Sequence, residues 1–330
     1  MPAKFQSTVI SAKTATAGSA VSVVSVFANG TAYWIDTKNG KLVGRQFLGF
    51  ESFAPKPIQP IEGNEFLAYD SRHRELIRVK AEMATVIWRQ PLGAPLGGEP
   101  TIRGGELFCA TQTGRLLQVD LQSGEVVRSV QLAEPIRAGP TVSIDDSTIY
   151  AVTDRGNLFA FDAKSFRSRG AGRLGVRRGA VSQTPIEIGA NLAMVDNSDA
   201  DNPAIRLLAG AAAGSAQPLQ VVSLAGNVST PLFADGKRLF VATDLGEISV
   251  FAPSGPPTAP FVKTASVPPD SRPELQPRFL ALRKEQFLVG GKGIAAYDAS
   301  SGGKLRPIWQ RFADESVIAF PSVAADSVVV

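Results

Sequence analysis

Short apolar runs recur along the whole chain and are separated by polar or glycine-containing turns. Leu107–Thr111, Ile149–Thr153 and Leu239–Thr243 each consist of four apolar residues followed by threonine. After each run comes a glycine and then a segment in which apolar and variable residues alternate with the period of a β-strand. A short run that is apolar at every position is typical of a strand buried on both faces. The pattern predicts an all-β chain of short strands.

Prolines give this pattern a period. Each of seven prolines stands at or just before a short apolar segment, and successive ones are 40 to 46 residues apart: Pro57, Pro100, Pro140, Pro185, Pro231, Pro277 and Pro321. A proline is tolerated at the first residue of a strand because no N–H is needed there for the ladder. The chain is therefore expected to repeat a unit of about 44 residues.

A glycine and an aspartate six residues later share this period. The pairs are Gly30 with Asp36, Gly114 with Asp120, and Gly156 with Asp162. A second glycine often follows four residues after the aspartate, as at Gly40, Gly124 and Gly302. Glycine supplies positive φ in tight turns, and an aspartate carboxylate accepts backbone N–H groups of the turn that follows it. We interpret these residues as turn formers and not as catalytic groups.

Four short strands in about 44 residues make one blade of a β-propeller of four-stranded antiparallel blades. Residues 1–16 are assigned to an N-terminal segment, for which disorder is the expectation, and residues 17–330 to a single propeller domain. The repeat divides that domain into seven blades at 17–53, 54–96, 97–136, 137–180, 181–225, 226–273 and 274–316. Residues 317–330 either complete the first blade or begin another, so eight blades or a truncated ring are the alternatives.

The frame Gly-x-Leu-x-x-x-Asp-x-x-x-Gly, seen at Gly114–Gly124, resembles the PQQ-like β-propeller repeat. That repeat occurs in quinoprotein dehydrogenases and in BamB, the outer-membrane-protein assembly lipoprotein. The resemblance implies a tryptophan in the fourth strand that docks neighbouring blades, and Trp88 and Trp309 stand in comparable strands. A BamB-like role implies a periplasmic or cell-envelope location and a bacterial protein. No signal peptide is visible in the chain.

The composition of the chain excludes several classes of protein and of binding site. Hydrophobic residues make up 44% of the 330 residues and charged ones 19%, which argues against disorder. The formal net charge of +4 is too small and too dispersed to predict nucleic-acid binding, and no apolar stretch is long enough to cross a bilayer. One cysteine, Cys109, and one histidine, His73, exclude a zinc site of Cys/His type. The vicinal cysteine pair of quinoprotein alcohol dehydrogenases is impossible here, so no cofactor is expected.

Two segments depart from the repeat. Arginines crowd the crossing from the fourth to the fifth blade, and this is the densest charge run of the chain: Arg167, Arg169, Arg173, Arg177 and Arg178. Such a cluster can bind carboxylate or phosphate groups, so it is the candidate partner-binding surface. In the fifth blade, Asn197, Asp199 and Asp201 have the spacing of the start of a calcium loop, although Asn202 and Leu208 stand where an EF-hand needs glycine and glutamate.

The sequence favours a non-catalytic protein-binding or assembly scaffold, a monomer or part of a larger chain or complex. The partner is expected to be a protein of unknown identity. No catalytic residue, cofactor-binding residue or metal ligand is assigned beyond the calcium candidate, and the chain is not expected to be an enzyme. The alternatives are a PQQ-dependent oxidoreductase and an anion- or glycan-binding module.

Overall fold

The computed structural model describes residues 9–16, 22–28, 31–36, 39–47, 56–61, 65–80, 85–181, 183–199, 201–209, 217–228, 230–269, 277, 279–283, 286–300, 303–316, 322–323 and 328–329. Within these ranges the chain is all-β, as the sequence predicts. The described residues include no helix with the length and apolar character that a membrane span requires. The chain divides into two compact units, Met1–Pro95 with Val317–Val330 and Leu96–Ser316.

The first unit contains two four-stranded antiparallel sheets and a hairpin. Sheet 1 has the order β1-β2-β3-β4, sheet 2 has the order β5-β6-β7-β8, and β29 pairs with β30 close to β1. The strands are β1 (Val9–Thr16), β2 (Ser22–Ala28), β3 (Thr31–Asp36), β4 (Leu42–Phe47), β5 (Lys56–Ile61), β6 (Glu65–Asp70), β7 (Glu75–Lys80), β8 (Thr85–Pro91), β29 (Ser322–Val323) and β30 (Val328–Val329). Strand β1 lies in the segment assigned outside the blades, where it supplies the first strand of sheet 1.

The second unit begins with three four-stranded antiparallel sheets. Sheet 3 is formed by β9 to β12, sheet 4 by β13 to β16, and sheet 5 by β17 to β20, each in chain order. The strands are β9 (Thr101–Arg103), β10 (Glu106–Ala110), β11 (Arg115–Asp120), β12 (Val126–Gln131), β13 (Thr141–Val142), β14 (Thr148–Val152), β15 (Asn157–Asp162), β16 (Ser168–Arg173), β17 (Ile186–Ile188), β18 (Asn191–Asp196), β19 (Ala204–Ala209) and β20 (Gln220–Ser223).

The last two sheets of the second unit vary this plan. Sheet 6 has the order β21-β22-β23-β24-β27, with β27 parallel to β24, and sheet 7 has the order β25-β26-β28. The strands are β21 (Phe233–Ala234), β22 (Leu239–Ala242), β23 (Ile248–Ala252), β24 (Val262–Val267), β25 (Phe279–Arg283), β26 (Gln286–Asp298), β27 (Gly303–Lys304) and β28 (Arg306–Ser316). The first half of β26 pairs with β25 and the second half with β28, so it takes the place of two middle strands.

The Gly-Asp signature acts through turn chemistry, as the sequence predicts. Asp120 accepts the N–H of Ser123 on Oδ1 at 2.7 Å, and its carbonyl accepts the N–H of Gly124, whose φ is +79°. In sheet 4 the place of that glycine is taken by Phe166 with φ +58°. The Phe166 ring stacks on Phe108 and Phe161 at centroid distances of 6.4 and 6.5 Å. Aromatic packing offsets the cost of left-handed backbone at this position.

The strands β4, β8, β12, β16, β24 and β28 each carry one extra residue at the same place in the repeat. In sheet 3, Gln118 pairs with Arg128 and Val119 with Val126, so that Val127 has no partner in β11. The equivalent extra residues are Val43, Ile87, Arg169, Thr264 and Ile308. A bulge bends and twists an outer strand, which makes its edge a poor template for pairing with other chains.

Successive sheets within each unit pack face to face. One apolar cluster joins sheets 4 and 5 and includes Tyr150, Ala160, Leu192 and Met194, all at most 3% exposed. Further clusters join sheets 3 and 4, 5 and 6, and 6 and 7, and another joins sheets 1 and 2. Full burial of a large apolar side chain contributes about 1.5–3 kcal/mol, so these faces are the main source of stability.

The strands of the seven sheets fall in the predicted blades, apart from β1 and from β27, which joins sheet 6 but lies in the predicted seventh blade. The single domain and the number of blades in the whole chain stay predictions.

Candidate functional site

The structure places the predicted arginine cluster at two opposite ends of sheet 4. Arg169 stands beside Asp162 and the turn before Thr148, whereas Arg173 pairs with Asn157 at the other end of the sheet. Strand β16 lies between these ends and spans six residues, about 20 Å. Arg167 precedes this strand, and Arg177 and Arg178 follow it. The five arginines therefore do not share one surface.

Arg169 is the charged member of the set of bulge residues. Its guanidinium donates to Asp162 Oδ2 at 2.6 Å and to Thr148 Oγ1 at 2.7 Å. Hydrogen bonds from Arg169 and Ser165 hold the pKa of Asp162 well below its usual range. Arg169 is therefore a structural cation, with its charge matched by Asp162.

At the other end of sheet 4, hydrogen bonds join one buried aspartate to the neighbouring connecting segments. The side chain of Asp154 is 1% exposed and receives Arg178 Nε at 2.7 Å and Arg137 Nε at 2.9 Å. Its backbone N–H donates to Pro135, and its carbonyl accepts the N–H of Gly179. Burial raises the pKa of Asp154, but the two guanidinium groups outweigh burial and the net pKa is lowered. This carboxylate fixes the loops at that end.

Three exposed arginines surround this clamp: Arg155, Arg173 and Arg177. Their side chains make no hydrogen bond or ion pair with any residue that the structure describes. We call Arg137, Arg155, Arg173, Arg177 and Arg178 the arginine end. It combines a rigid base with cationic side chains available to a partner.

The hairpin of sheet 5 is tied to the arginine end. The N–H of Arg177 donates to Ser198 Oγ at 2.9 Å, and Ser198 Oγ donates in turn to Asp196 Oδ1. Asp196 also pairs with Arg206 at 2.5 Å. The two segments that depart from the repeat in sequence are thus adjacent in the fold.

The calcium candidates in this hairpin are engaged in other contacts. Asn197 exchanges two hydrogen bonds with the backbone of Val228, through Oδ1 at 3.1 Å and Nδ2 at 3.2 Å. Asp199 Oδ1 accepts the N–H of Asp201 at 3.1 Å, as in an Asx turn. The calcium site stays a prediction, and these contacts give it no support.

A cleft of 670 Å³ opens between sheets 4 and 5, beside Arg169. It is lined by Ser143, Ile144, Asp145, Ser147, Thr148, Tyr150, Ala160, Arg169, Glu187, Gly189 and Ala190. The carboxylate of Glu187 accepts the N–H of Ile144 and so fixes one wall to the other. Burial raises the pKa of Glu187, and the charge of Asp145 raises it further. None of these residues except Arg169 was singled out from the sequence.

A second cleft, of 520 Å³, runs along the first strands of sheets 3 to 6. Thr101 Oγ1 donates to the carbonyl of Pro140 at 2.6 Å, and Thr141 Oγ1 donates to that of Pro185 at 2.5 Å. Two of the prolines that set the sequence period, Pro140 and Pro185, thus accept hydrogen bonds from neighbouring first strands. Arg137, a member of the arginine end, also lines this cleft.

The lone cysteine and histidine have the environments that the sequence predicts. Cys109 is buried, and burial raises the pKa of its thiol to about 12, so it is inert at neutral pH. His73 lies in an exposed turn, where its Nδ1 is 2.7 Å from Asp70 Oδ2. Ligand atoms of Asp70, His73 and Glu75 lie within 4.8 Å of one another, but Glu75 forms an ion pair with Arg89. That arginine disfavours a metal ion there.

Comparison with known proteins identifies the repeat. The family described as the outer membrane protein assembly factor BamB matches residues 21–184. BamB from Moraxella catarrhalis is 14% identical, with a TM-score of 0.66 over 96% of this chain and 92% of that chain. Residues 21–184 thus match the PQQ-like β-propeller family, and the chain shares the propeller fold of BamB.

Other similar structures share the fold alone. The computationally designed Ika8 protein is 14% identical and has a TM-score of 0.72 over 94% of this chain and 90% of that chain. The Cps50 (Swd1) β-propeller domain of Myceliophteria thermophila is 12% identical, with a TM-score of 0.57 over 75% of this chain and 83% of that chain. No curated protein matches by sequence.

The residue that directly follows the bulge residue differs from sheet to sheet. Trp88 and Trp309 occupy the position directly after the bulge residue, where they pair with Arg78 and Ala296. In sheet 4 the same position is Gly170, opposite Ala160. A glycine thus stands in sheet 4 where sheets 2 and 7 carry a tryptophan, and the residues at this position in sheets 1, 3 and 6 are Gly44, Arg128 and Ala265. The sequence signal was Gly170-Ala171-Gly172 in an outer strand.

PQQ, the cofactor after which the repeat is named, does not fit the second cleft. Its described lining consists of glycine, proline, threonine, aliphatic and charged residues with Gln183, and includes no aromatic ring on which a planar quinone could stack. The chain also lacks a vicinal cysteine pair, because Cys109 is its one cysteine. We therefore derive no chemistry through PQQ.

Proposed function

We propose that this propeller is a non-catalytic scaffold that binds another protein through its arginine end. The observation that carries the proposal is the combination of a buried carboxylate clamp at Asp154 with three exposed arginines around it. A rigid base lowers the entropy that is lost on docking, and arginine is enriched where binding energy is concentrated. Similarity to the BamB assembly-factor family supports a role in assembly.

The partner surface that suits this end is acidic. Guanidinium groups form bidentate hydrogen bonds with carboxylates, and opposite charge accelerates encounter. By family resemblance we also propose a cell-envelope location, which fractionation of cells carrying the full-length gene would test.

Photocrosslinking tests the docking surface. A photoreactive p-benzoylphenylalanine replaces Arg177 in the full chain in its native cell, and the matched control carries it at Arg167, which is also exposed but precedes β16. We expect a discrete protein adduct from position 177 that is absent from position 167. Changing Arg155 and Arg173 to alanine should weaken that adduct at least about tenfold. Equal adducts from both positions, or none from either, would contradict the proposal.

A quinoprotein activity is tested separately. The full chain is mixed with PQQ and Ca²⁺ and assayed for dye-linked alcohol oxidation. Stoichiometric binding with turnover would replace the scaffold proposal by an enzymatic one.

The exposed arginines also favour a second candidate, an anion- or glycan-binding module. Retention on heparin and on phosphocellulose would be compared between the native chain and the Arg173→Ala/Arg177→Ala variant. Unchanged retention would eliminate this candidate, and loss of retention without a protein adduct in the crosslinking experiment would favour it.

A further inference from the structure

The cleft beside Arg169 is a vacancy in the packing of sheets 4 and 5. Tyr150 pairs with Ala160, and Ala160 with Gly170, so the three residues form one row across the sheet. Directly opposed residues of antiparallel strands point to the same face. Ala160 and Tyr150 line the cleft, and a side chain at position 170 would enter it. The equivalent row of sheet 2 is Leu67, Arg78 and Trp88.

The volume of this cleft suits a small ligand or one side chain of a partner. Ligand pockets of proteins commonly enclose about 300–1,000 Å³, and this cleft has 670 Å³. Its apolar surface comes from Ile144, Tyr150, Ala160 and Ala190. Its polar lining residues are Ser143, Asp145, Ser147, Thr148, Arg169 and Glu187.

Negative charge exceeds positive charge around the cleft. The acidic groups are Glu187 and Asp145 in the lining and Asp146 and Asp162 beside it, and the basic groups are Arg103 and Arg169. Arg169 is matched by Asp162 at 2.6 Å, and Arg103 lies 3.7 Å from Asp146. Four acidic and two basic groups leave an excess of two negative charges around the cleft, and Arg103 also acts on Glu187.

The negative charges around the cleft affect the pKa of Tyr150, which lies at its inner wall. Burial raises the pKa of Tyr150, and the charges of Glu187 and Asp145 raise it further. Burial raises the pKa of Glu187, and repulsion between its charge and that of Asp145 raises this pKa further. A bound cation would relieve that repulsion.

We propose that this cleft binds an organic cation, an ammonium or guanidinium group carried on an aliphatic stem. The charged group lies between Glu187 and Asp145, and the stem packs on Tyr150 and Ala160. The source is either a basic side chain of a protein or a free amine. This site is at the opposite end of sheet 4 from the arginine end, so it does not rest on the proposed scaffold function.

Other ligand classes fit less well. An anion would meet Arg169 already paired with Asp162 and hydrogen-bonded to Thr148. A calcium ion needs six to eight oxygens. Here Glu187 already accepts the N–H of Ile144, and Asp145 already accepts from Ser143 and Ser147.

Calorimetric titration of the full chain tests the proposal with defined probes. The cationic probes are N-acetyl-lysine amide and cadaverine, and the neutral control is N-acetyl-norleucine amide, which has a similar stem without the charge. We expect the cations to bind with a dissociation constant of about 1 mM or lower and the neutral probe not to bind. A tripeptide with central lysine that binds at least about tenfold tighter than cadaverine identifies a protein side chain as the source, and the reverse order identifies a free amine.

Three variants locate the binding. Glu187→Gln keeps an acceptor for the N–H of Ile144 but removes the charge, and should weaken binding at least about tenfold. Gly170→Trp should abolish binding by filling the cleft. Glu125→Gln, an exposed carboxylate of sheet 3, is the matched control and should bind as the native chain does.

The proposal is overturned if the neutral probe binds as well as the cations, if Glu187→Gln binds unchanged, or if Ca²⁺ binds while the amines do not. Thermal unfolding of each variant shows whether it is folded. Should Gly170→Trp not fold, Glu187→Gln still decides the outcome.

Discussion

The N–H of Arg177 donates a hydrogen bond to Ser198 Oγ at 2.9 Å. This contact joins the crossing after sheet 4 to the hairpin of sheet 5. Ser198 Oγ is itself held by Asp196, which pairs with Arg206. The presentation of Arg177 to a partner thus depends on residues of the neighbouring sheet.

Ser198→Ala removes this link without changing any charge. We expect a loss of about 0.5–1.5 kcal/mol in the free energy of unfolding, because the N–H of Arg177 and the carboxylate of Asp196 each lose one hydrogen bond. Urea denaturation measures the loss, and hydrogen exchange of the Arg177 amide should become faster. Exchange that is unchanged at Arg177 would show that the contact does not order this segment.

Asp154→Ala is expected to lower the free energy of unfolding by more than Ser198→Ala does. The side chain of Asp154 is buried and accepts from two guanidinium groups, which return to solvent when the carboxylate is removed. A hydrogen bond to a charged group contributes about 1.5–3 kcal/mol to stability. Because both arginines are largely exposed, solvent screens these two interactions, and we expect the free energy of unfolding to fall by about 2 kcal/mol in total. Asp199→Ala, in the exposed hairpin of sheet 5, is the control and should change stability far less.

The sign of the pH dependence of this clamp follows from the lowered pKa of Asp154. The stabilisation is fully present above the ordinary pKa of an aspartate and is lost as the pH falls through the lower pKa of the folded state. The difference in stability between the native chain and Asp154→Ala should therefore shrink in strong acid. A difference that grows on acidification would contradict this assignment.

Two glycines with similar φ make a matched pair. Gly114 has φ +88°, and a Cβ there would lie 2.7 Å from the carbonyl oxygen of Leu132 and closer still to that of Glu134. Gly175 has φ +71° with open space around it. Gly175→Ala should cost about 1 kcal/mol from backbone strain alone, and Gly114→Ala clearly more because backbone must move. Equal losses in urea denaturation would show that the crowding at Gly114 is relieved cheaply.

Glu187→Gln should raise the thermal stability of the chain at neutral pH. A carboxyl whose pKa is raised in the folded state destabilises that state once it ionises. The gain in melting temperature should be present above the raised pKa and disappear in acid, below the ordinary pKa of a glutamate, where Glu187 is protonated in both states. A scan of melting temperature against pH for both chains measures it, and a gain that persists in acid would exclude the ionisation of Glu187 as the cause.

The sequence by itself determined the repeat. Gly114, Asp120 and Gly124 act through bonds within a few residues of one another, so their spacing reports the turn without knowledge of the rest of the fold. The prolines mark the first strands because a missing N–H is tolerated there. Buried Cys109 and exposed His73 also followed from their local sequence.

The tertiary structure alone decided the sites. Arg169 and Arg178 are nine positions apart, but the strand between them carries them to opposite ends of a sheet. The cleft depends on the row from Tyr150 to Gly170, which strand register brings together from three strands. Register and the packing of one sheet on the next are long-range properties, because they arise between residues that are distant along the chain.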